Sequence, residues 1–149
     1  MGKRKWWIIA AIIWMTGIFC ATQLPYFTGK STSKTIEKVV DTEHKSIDTP
    51  SADRGVIKVL NFLIRKATHL TAFGILSLLL FKSLETTRFP YILAWGLTSL
   101  YAMSDEYHQS FMPGRTATYK DVLIDAFGAM VVLSVVYLFK RKRKMTRAY

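Results

Sequence analysis

The chain has a single cysteine, Cys20, so no disulfide can form within it and a disulfide-stabilised scaffold is excluded. Acidic residues are also scarce: ten Asp and Glu stand against 21 Lys and Arg, which gives a net charge of +11. The sequence shows no glycine-rich phosphate loop, no nucleophile elbow and no internal repeat. Apolar sequence is abundant instead, since 50% of the 149 residues are hydrophobic. Four Trp, seven Tyr and nine Phe exclude a disordered chain.

The apolar residues lie in four long blocks, and these predict membrane-spanning helices. The first block, residues 6–24, has no charged residue and no polar face, whereas a helix of a soluble bundle has a polar stripe. Each block approaches the roughly 20 helical residues that cross the ~30 Å hydrocarbon core. The sequence therefore predicts an all-α membrane protein, a four-transmembrane-helix bundle forming one domain over 1–149. Its expected spans are at about 6–24, 67–84, 90–108 and 120–139.

The first block also has features of a signal peptide, because Lys3, Arg4 and Lys5 precede an apolar run. However, the run is long for a signal peptide, and no clean small-residue cleavage site follows it. Phe19 is also a poor residue before Cys20 for lipoprotein processing. We therefore expect an uncleaved first helix, with cleavage as the alternative.

Positive charge beside the predicted spans indicates how the chain is oriented. With four spans both termini lie on one side, and the segments on that side hold 11 of the 21 bases but only one acid, Glu85. Most of the other bases lie in the predicted outer loop 25–66, far from a span end. Because Lys and Arg near span ends favour the cytoplasmic side, we expect both termini in the cytoplasm.

Two further segments are expected at the membrane surface. The basic tail 140–149 adjoins a span and its basic run has no interleaved aromatics, so it predicts an anchor at an anionic leaflet rather than a nucleic-acid site. Within residues 56–64, apolar side chains recur at helical spacing with polar ones between them. This pattern predicts an amphipathic helix before the second span, lying at the interface or continuing into that span.

Polar residues concentrate at one predicted membrane face, where the second span begins, the third ends and the fourth begins. Asp125 lies about 6 Å deeper than Asp121, at a depth where a carboxylate exposed to lipid is costly. Polar residues are ordinary where a helix leaves the membrane, and His69 alone is typical of a packed histidine. The concentration nevertheless predicts a binding site, formed by Lys66, His69, Asp105, Glu106, His108, Gln109, Arg115, Asp121 and Asp125.

These residues resemble the signature of the VanZ-like membrane proteins. One family motif is similar to the run from Asp105 to Arg115 followed by Asp121, Asp125 and Gly128, and the other to Lys66-Ala67-Thr68-His69 before Phe73 and Leu76. The resemblance covers about residues 60–130. It implies about four spans in a bacterial cell membrane and an association with low-level resistance to glycopeptide antibiotics, teicoplanin especially.

By this resemblance the predicted binding residues other than Asp125 are the family's signature positions. Asp125 stands where the family often has Asn, which adds a negative charge or a protonated acid to the site. The loop 25–66 is long for the family, so the resemblance implies nothing about its role.

Three functions fit the polar site. In the first, it binds the headgroup of a cell-envelope lipid or lipid-linked cell-wall precursor at the outer leaflet, with Arg115 as a bidentate fork for phosphate or carboxylate. In the second, Asp105, Glu106 and His108 supply acid–base chemistry to a membrane-embedded enzyme. The third is a small transporter. The ionisable residues are confined to one membrane face, which argues against this function.

The sequence also limits cofactors and partners. It has no recognised metal-ligand spacing, so neither a metal nor another cofactor is expected. The alternative, within the enzyme hypothesis, is a divalent metal bound by Asp105, Glu106 and His108, with Asp121 or Asp125 completing the shell. The expected partners are membrane lipids, including lipid-linked cell-wall precursors, and not nucleic acid.

Overall fold

The computed structural model describes residues 2–23, 38, 54–112 and 118–146. Over these residues the chain forms four long helices and no strand: α1 (Gly2–Gln23), α2 (Arg54–Leu84), α3 (Pro90–Gln109) and α4 (Tyr119–Thr146). Pro90 begins α3, where its missing N–H costs no helical hydrogen bond. The all-α prediction is therefore confirmed.

Three of these helices are long and apolar enough to cross a membrane, over Gly2–Thr22, Val59–Leu84 and Tyr119–Thr146. Only 6% of the apolar stretch of α1 is buried in the protein, which suits a helix surrounded largely by lipid. The chain is accordingly a multi-pass membrane protein. The remaining helix, α3, carries Asp105, Glu106 and His108 in its last turns instead of apolar residues. Its passage through the membrane stays a prediction.

The central helix is α2, which packs against each of the other three. It approaches α4 closely where glycine removes a side chain: a Cβ on Gly128 would lie 2.9 Å from the Leu70 carbonyl oxygen, and one on Gly74 would lie 2.9 Å from Val132 Cγ2. Small residues let helix backbones approach each other in lipid, where close packing drives association. This contact holds the first turns of α4 beside the middle of α2.

Aromatic side chains join α1 to the other helices through two hydrogen bonds. Trp14 Nε1 donates to the Ala72 carbonyl of α2 at 2.9 Å. The Tyr101 hydroxyl of α3 donates to the Met15 carbonyl at 2.6 Å. A polar group on an aromatic side chain needs such a partner in apolar surroundings. These contacts therefore fix the position of α1 along the bundle axis.

The helices alternate in direction, so the bundle has two chemically different ends. The end that holds the start of α1 and the α2–α3 connection is basic. There Arg4 Nε donates to the Ser83 carbonyl at 3.1 Å. At the same end Glu85 pairs with Lys82 at 3.5 Å and with Lys140 near the end of α4. The opposite end collects the buried acids.

The predicted loop 25–66 is helical from Arg54 onward, because the helical spacing of residues 56–64 runs without a break into the second span. With 31 residues, α2 is about 46 Å long and exceeds the ~30 Å hydrocarbon core. The apolar side chains that predicted the amphipathic helix are exposed: Val56, Val59, Leu60, Leu63 and Ile64. The predicted tail 140–149 is likewise helical as far as Thr146.

Candidate functional site

Polar side chains from three helices meet at the end of the bundle opposite its basic end. They come from the middle of α2, the last turns of α3 and the first turns of α4. We call seven of them the polar cluster: Lys66, His69, Asp105, Glu106, Gln109, Asp121 and Asp125. The four carboxylates and the amide among them are buried, with residue exposures between 2% and 7%.

Two pairs join α2 to α4. The Lys66 ammonium contacts Asp121 Oδ1, and His69 Nδ1 lies 3.4 Å from Asp125 Oδ2. The two basic residues are three positions apart on α2 and the two acids four apart on α4, so each set occupies one helix face. The two faces therefore meet along a common line, with the His69–Asp125 pair one turn deeper in the bundle.

The carboxylates of α3 contact α1 and the residue that precedes α4 at this end of the bundle. Asp105 accepts hydrogen bonds from Gln109 Nε2 at 2.7 Å and from the Thr22 hydroxyl of α1 at 3.2 Å. Glu106 Oε1 accepts the Thr118 backbone N–H at 2.7 Å, directly before α4. A carboxylate at this position is favoured by the dipole of α4. All four helices therefore meet at the polar cluster.

Charge within the polar cluster is unbalanced. Four carboxylates face one ammonium group, on Lys66, and one imidazole, on His69. Lys66 is close enough to interact electrostatically with Asp125 and Glu106 as well as with its partner Asp121. Asp105 interacts in the same way with His69 and Asp125. The described part of the site thus holds more carboxyl groups than basic groups, and these groups interact with one another.

One oxygen of the deepest acid has no hydrogen-bond partner among the described residues. Asp125 is 2% exposed, and its Oδ1 atom accepts no hydrogen bond from the residues that the structure describes. Its other oxygen, Oδ2, faces His69. A buried acceptor of this kind calls for an explanation, because most buried polar atoms in folded proteins are paired.

Aromatic side chains close the polar cluster on its deeper side. The His69 ring stacks on Phe73, one turn further along α2, with ring centroids 6.2 Å apart. Phe73 in turn lies 6.1 Å from the ring of Tyr101 and is 1% exposed. Beyond it follows the apolar core formed by Leu76 and Ala102. Polarity at this site is therefore confined to one end of the bundle.

The two predicted site residues that remain are His108 and Arg115. The His108 ring packs edge-on against Phe19 of α1, with centroids 4.9 Å apart. Arg115 lies outside the described residues.

Sequence reasoning missed two groups that contact the polar cluster. One is the Thr22 hydroxyl and the other the Thr118 backbone N–H. The only signal for Thr22 was its position at the far end of the first apolar block.

The chemistry of the site follows from its donors and acceptors. In the described ranges no three His, Cys, Asp or Glu side chains are arranged to hold a metal ion. What the arrangement offers is a set of carboxylate acceptors beside one ammonium donor. Such a set suits hydrogen bonding to a polar group that carries N–H or O–H donors.

Comparison with known protein families gives a match over most of the chain. A family model described as VanZ/LLP1 matches residues 7–140, which is most of the chain. No curated protein and no solved structure matches it.

Proposed function

The chain belongs to the VanZ/LLP1 family, which is linked to glycopeptide resistance, and from that premise we propose that its polar cluster binds a cell-envelope lipid. The bound part is the polar headgroup of that lipid or of a lipid-linked cell-wall precursor. Occupancy at the outer membrane face changes the surface that a glycopeptide such as teicoplanin meets. Lower susceptibility to the drug follows from this change.

The observation that carries the proposal is the buried Oδ1 atom of Asp125, which has no hydrogen-bond partner among the described residues. A buried acceptor without a hydrogen bond costs about 1–3 kcal/mol. A headgroup hydroxyl, amide or ammonium group that donates to Oδ1 removes this cost. The excess of carboxylates favours such a donor-bearing headgroup over a bare phosphate, for which Arg115 is the predicted partner.

The proposed topology has four spans, with α3 as the third, and both termini in the bacterial cytoplasm. It is supported by the bases at one end of the bundle, on the start of α1, the α2–α3 connection and the end of α4. The polar cluster then faces the outer leaflet. In this arrangement residues 56–64 continue α2 beyond the hydrocarbon core and lay their exposed apolar side chains on the interface.

Cysteine labelling tests this topology. In a background with Cys20→Ala, we expect a membrane-impermeant maleimide to label Thr118→Cys in intact cells, because this exposed position lies at the outer end. Lys142→Cys, which is exposed at the basic end, should be labelled only after the membrane is permeabilised. The reversed pattern would place the polar cluster inside the cell and overturn the proposal.

Substitution of Asp125 tests headgroup binding. We expect Asp125→Ala to weaken binding of a lipid-linked cell-wall precursor in nanodiscs about 10- to 100-fold, the equivalent of one charge-assisted hydrogen bond. Asp125→Asn should bind within a few-fold of wild type, because its amide can donate to His69 Nδ1 and keep an oxygen for the headgroup. Native mass spectrometry of the nanodisc complexes measures both.

The matched control is Glu85→Ala, which removes an exposed acid at the opposite end of the bundle. It should leave precursor binding unchanged. Equal binding by Asp125→Ala and wild type, with both folded to the same melting temperature, would refute the role of Oδ1.

A second function is favoured by the His69–Asp125 pair. A carboxylate that orients an imidazole is the arrangement by which many enzymes position a general base. If the site catalyses a reaction on the bound lipid, the nanodisc samples used for binding will yield a lipid of changed mass. Recovery of the precursor at its original mass after long incubation leaves binding as the function.

A further inference from the structure

An apolar groove of about 600 Å³ runs between the first half of α3 and the second half of α4. It lies at the basic end of the bundle, away from the polar cluster. The groove is walled by Trp95 and Met130 at its deeper end and by Tyr137 and Leu138 nearer the membrane surface. From Met130 to Leu138 it extends about 12 Å along α4.

The walls of this groove are exposed. Trp95 is 42% exposed, Met130 48% and Leu138 59%, and in the described part of the chain no other helix covers them. The Trp95 indole N–H donates to the Ala126 carbonyl of α4 at 3.0 Å, so the ring has a fixed position in the wall. An apolar channel of this size inside the hydrocarbon layer accommodates an alkyl chain.

One charged residue, Arg88, lies at the surface end of the groove. The nearby acid, Glu85, is already paired with Lys82 and Lys140. Exposed bases of α4 continue the positive charge along the same end of the bundle. This end therefore complements an anionic headgroup, and a guanidinium at the head of an apolar channel suits a phosphodiester in particular.

We propose that the groove is a lipid site distinct from the polar cluster, and that it binds one acyl chain of an anionic phospholipid whose phosphate contacts Arg88. The alkyl chain packs between α3 and α4, and the headgroup remains at the basic surface. The site does not depend on the function proposed for the polar cluster, because the two lie at opposite ends of the bundle.

Fluorescence quenching tests the site, because Trp95 forms part of its wall. In a variant with Trp6, Trp7 and Trp14 replaced by Phe, Trp95 is the single tryptophan. Nanodiscs of phosphatidylcholine receive a minor fraction of either brominated phosphatidylglycerol or brominated phosphatidylcholine. We expect the brominated anionic lipid to quench Trp95 several-fold more strongly at equal fraction. Arg88→Gln should reduce its quenching to the level of the neutral lipid.

The matched control is Arg141→Gln, an exposed base of α4 outside the groove, which should keep the preference. Equal quenching by the two lipids in the parent variant would overturn the recognition of charge by Arg88. No quenching by either lipid, together with cross-linking of two chains through α3 and α4, would show that a second copy fills the groove.

A second measurement uses the chain with all its tryptophans, because Trp14→Phe removes the hydrogen bond to Ala72. Native mass spectrometry of wild type should retain phosphatidylglycerol several-fold more than phosphatidylcholine. Ser134→Phe, which fills the groove from α4, should abolish that retention. Unchanged retention in this variant would contradict the position of the acyl chain.

Discussion

Replacing Gly128 with alanine is expected to lower the free energy of unfolding by about 1–3 kcal/mol, the usual cost of overpacking a tight contact. The added Cβ would lie 2.9 Å from both the Cγ and the carbonyl oxygen of Leu70, and 3.2 Å from its Cα. The Leu70 side chain can rotate away, but its backbone cannot. Relief therefore requires α2 and α4 to separate, and unfolding titrations in detergent micelles measure the loss.

Gly96→Ala is the matched control, because a Cβ at Gly96 meets nothing within 4 Å. It should be neutral or stabilising by up to about 1 kcal/mol, since alanine is the better helix former. Combining Gly128→Ala with Leu70→Ala should recover only part of the loss, as the backbone contact remains. Equal stability of the two single glycine variants would contradict the close approach of α2 and α4.

The same substitution should also affect the site, although Gly128 belongs to no pair within it. Gly128 lies three positions after Asp125 on α4, and Leu70 directly follows His69 on α2. Any separation of the helices here lengthens the His69–Asp125 contact, which is already 3.4 Å. We therefore expect weaker precursor binding in Gly128→Ala and unchanged binding in Gly96→Ala.

The helices and the location of the site could be predicted from sequence for simple physical reasons. A block such as residues 6–24, apolar on every face, has few stable forms other than a membrane helix. Because successive spans run in opposite directions, residues near 66, 105 and 121 must lie at the same end of the bundle. Helical spacing then determines that Asp121 and Asp125 share one face.

The partners of these residues were not predictable, because they depend on contacts between helices. Nothing in the spacing connects Thr22 to Asp105, which are 83 positions apart. Residues 56–64 were predicted to be helical, but their spacing left open whether that helix lies at the interface or continues into the second span, as it does in α2. For α3, the acids that build the site also lower its apolar character, so composition alone does not establish it as a span.

Replacing Lys66 with methionine is the change expected to cost most within the polar cluster. Removing one partner of a buried ion pair costs about 3–5 kcal/mol, and we expect the lower end of that range because the Lys66 side chain is 21% exposed. Asp121 would then be buried without a counter-charge. Asp125 and Glu106, which also interact with the ammonium group, would lose it too. Unfolding titrations in detergent measure the effect.

The matched control is Lys140→Met at the basic end. Its ion pair with Glu85 has both side chains 41% exposed, and such pairs contribute about 0–1 kcal/mol. A similar loss in the two variants would indicate that Asp121 reaches water when Lys66 is removed.

A double variant, Lys66→Met with Asp121→Leu, separates stability from binding. Apolar groups in place of a buried ion pair are often neutral or stabilising, so we expect the double variant to regain most of the stability that Lys66→Met loses. If the pair serves the headgroup, the double variant will be stable and will still fail to bind the precursor. Wild-type binding would instead restrict recognition to the deeper His69–Asp125 pair, where the Oδ1 atom without a described partner lies. The first outcome thus assigns both acids of α4, Asp121 and Asp125, to headgroup binding. The second assigns Asp125 alone.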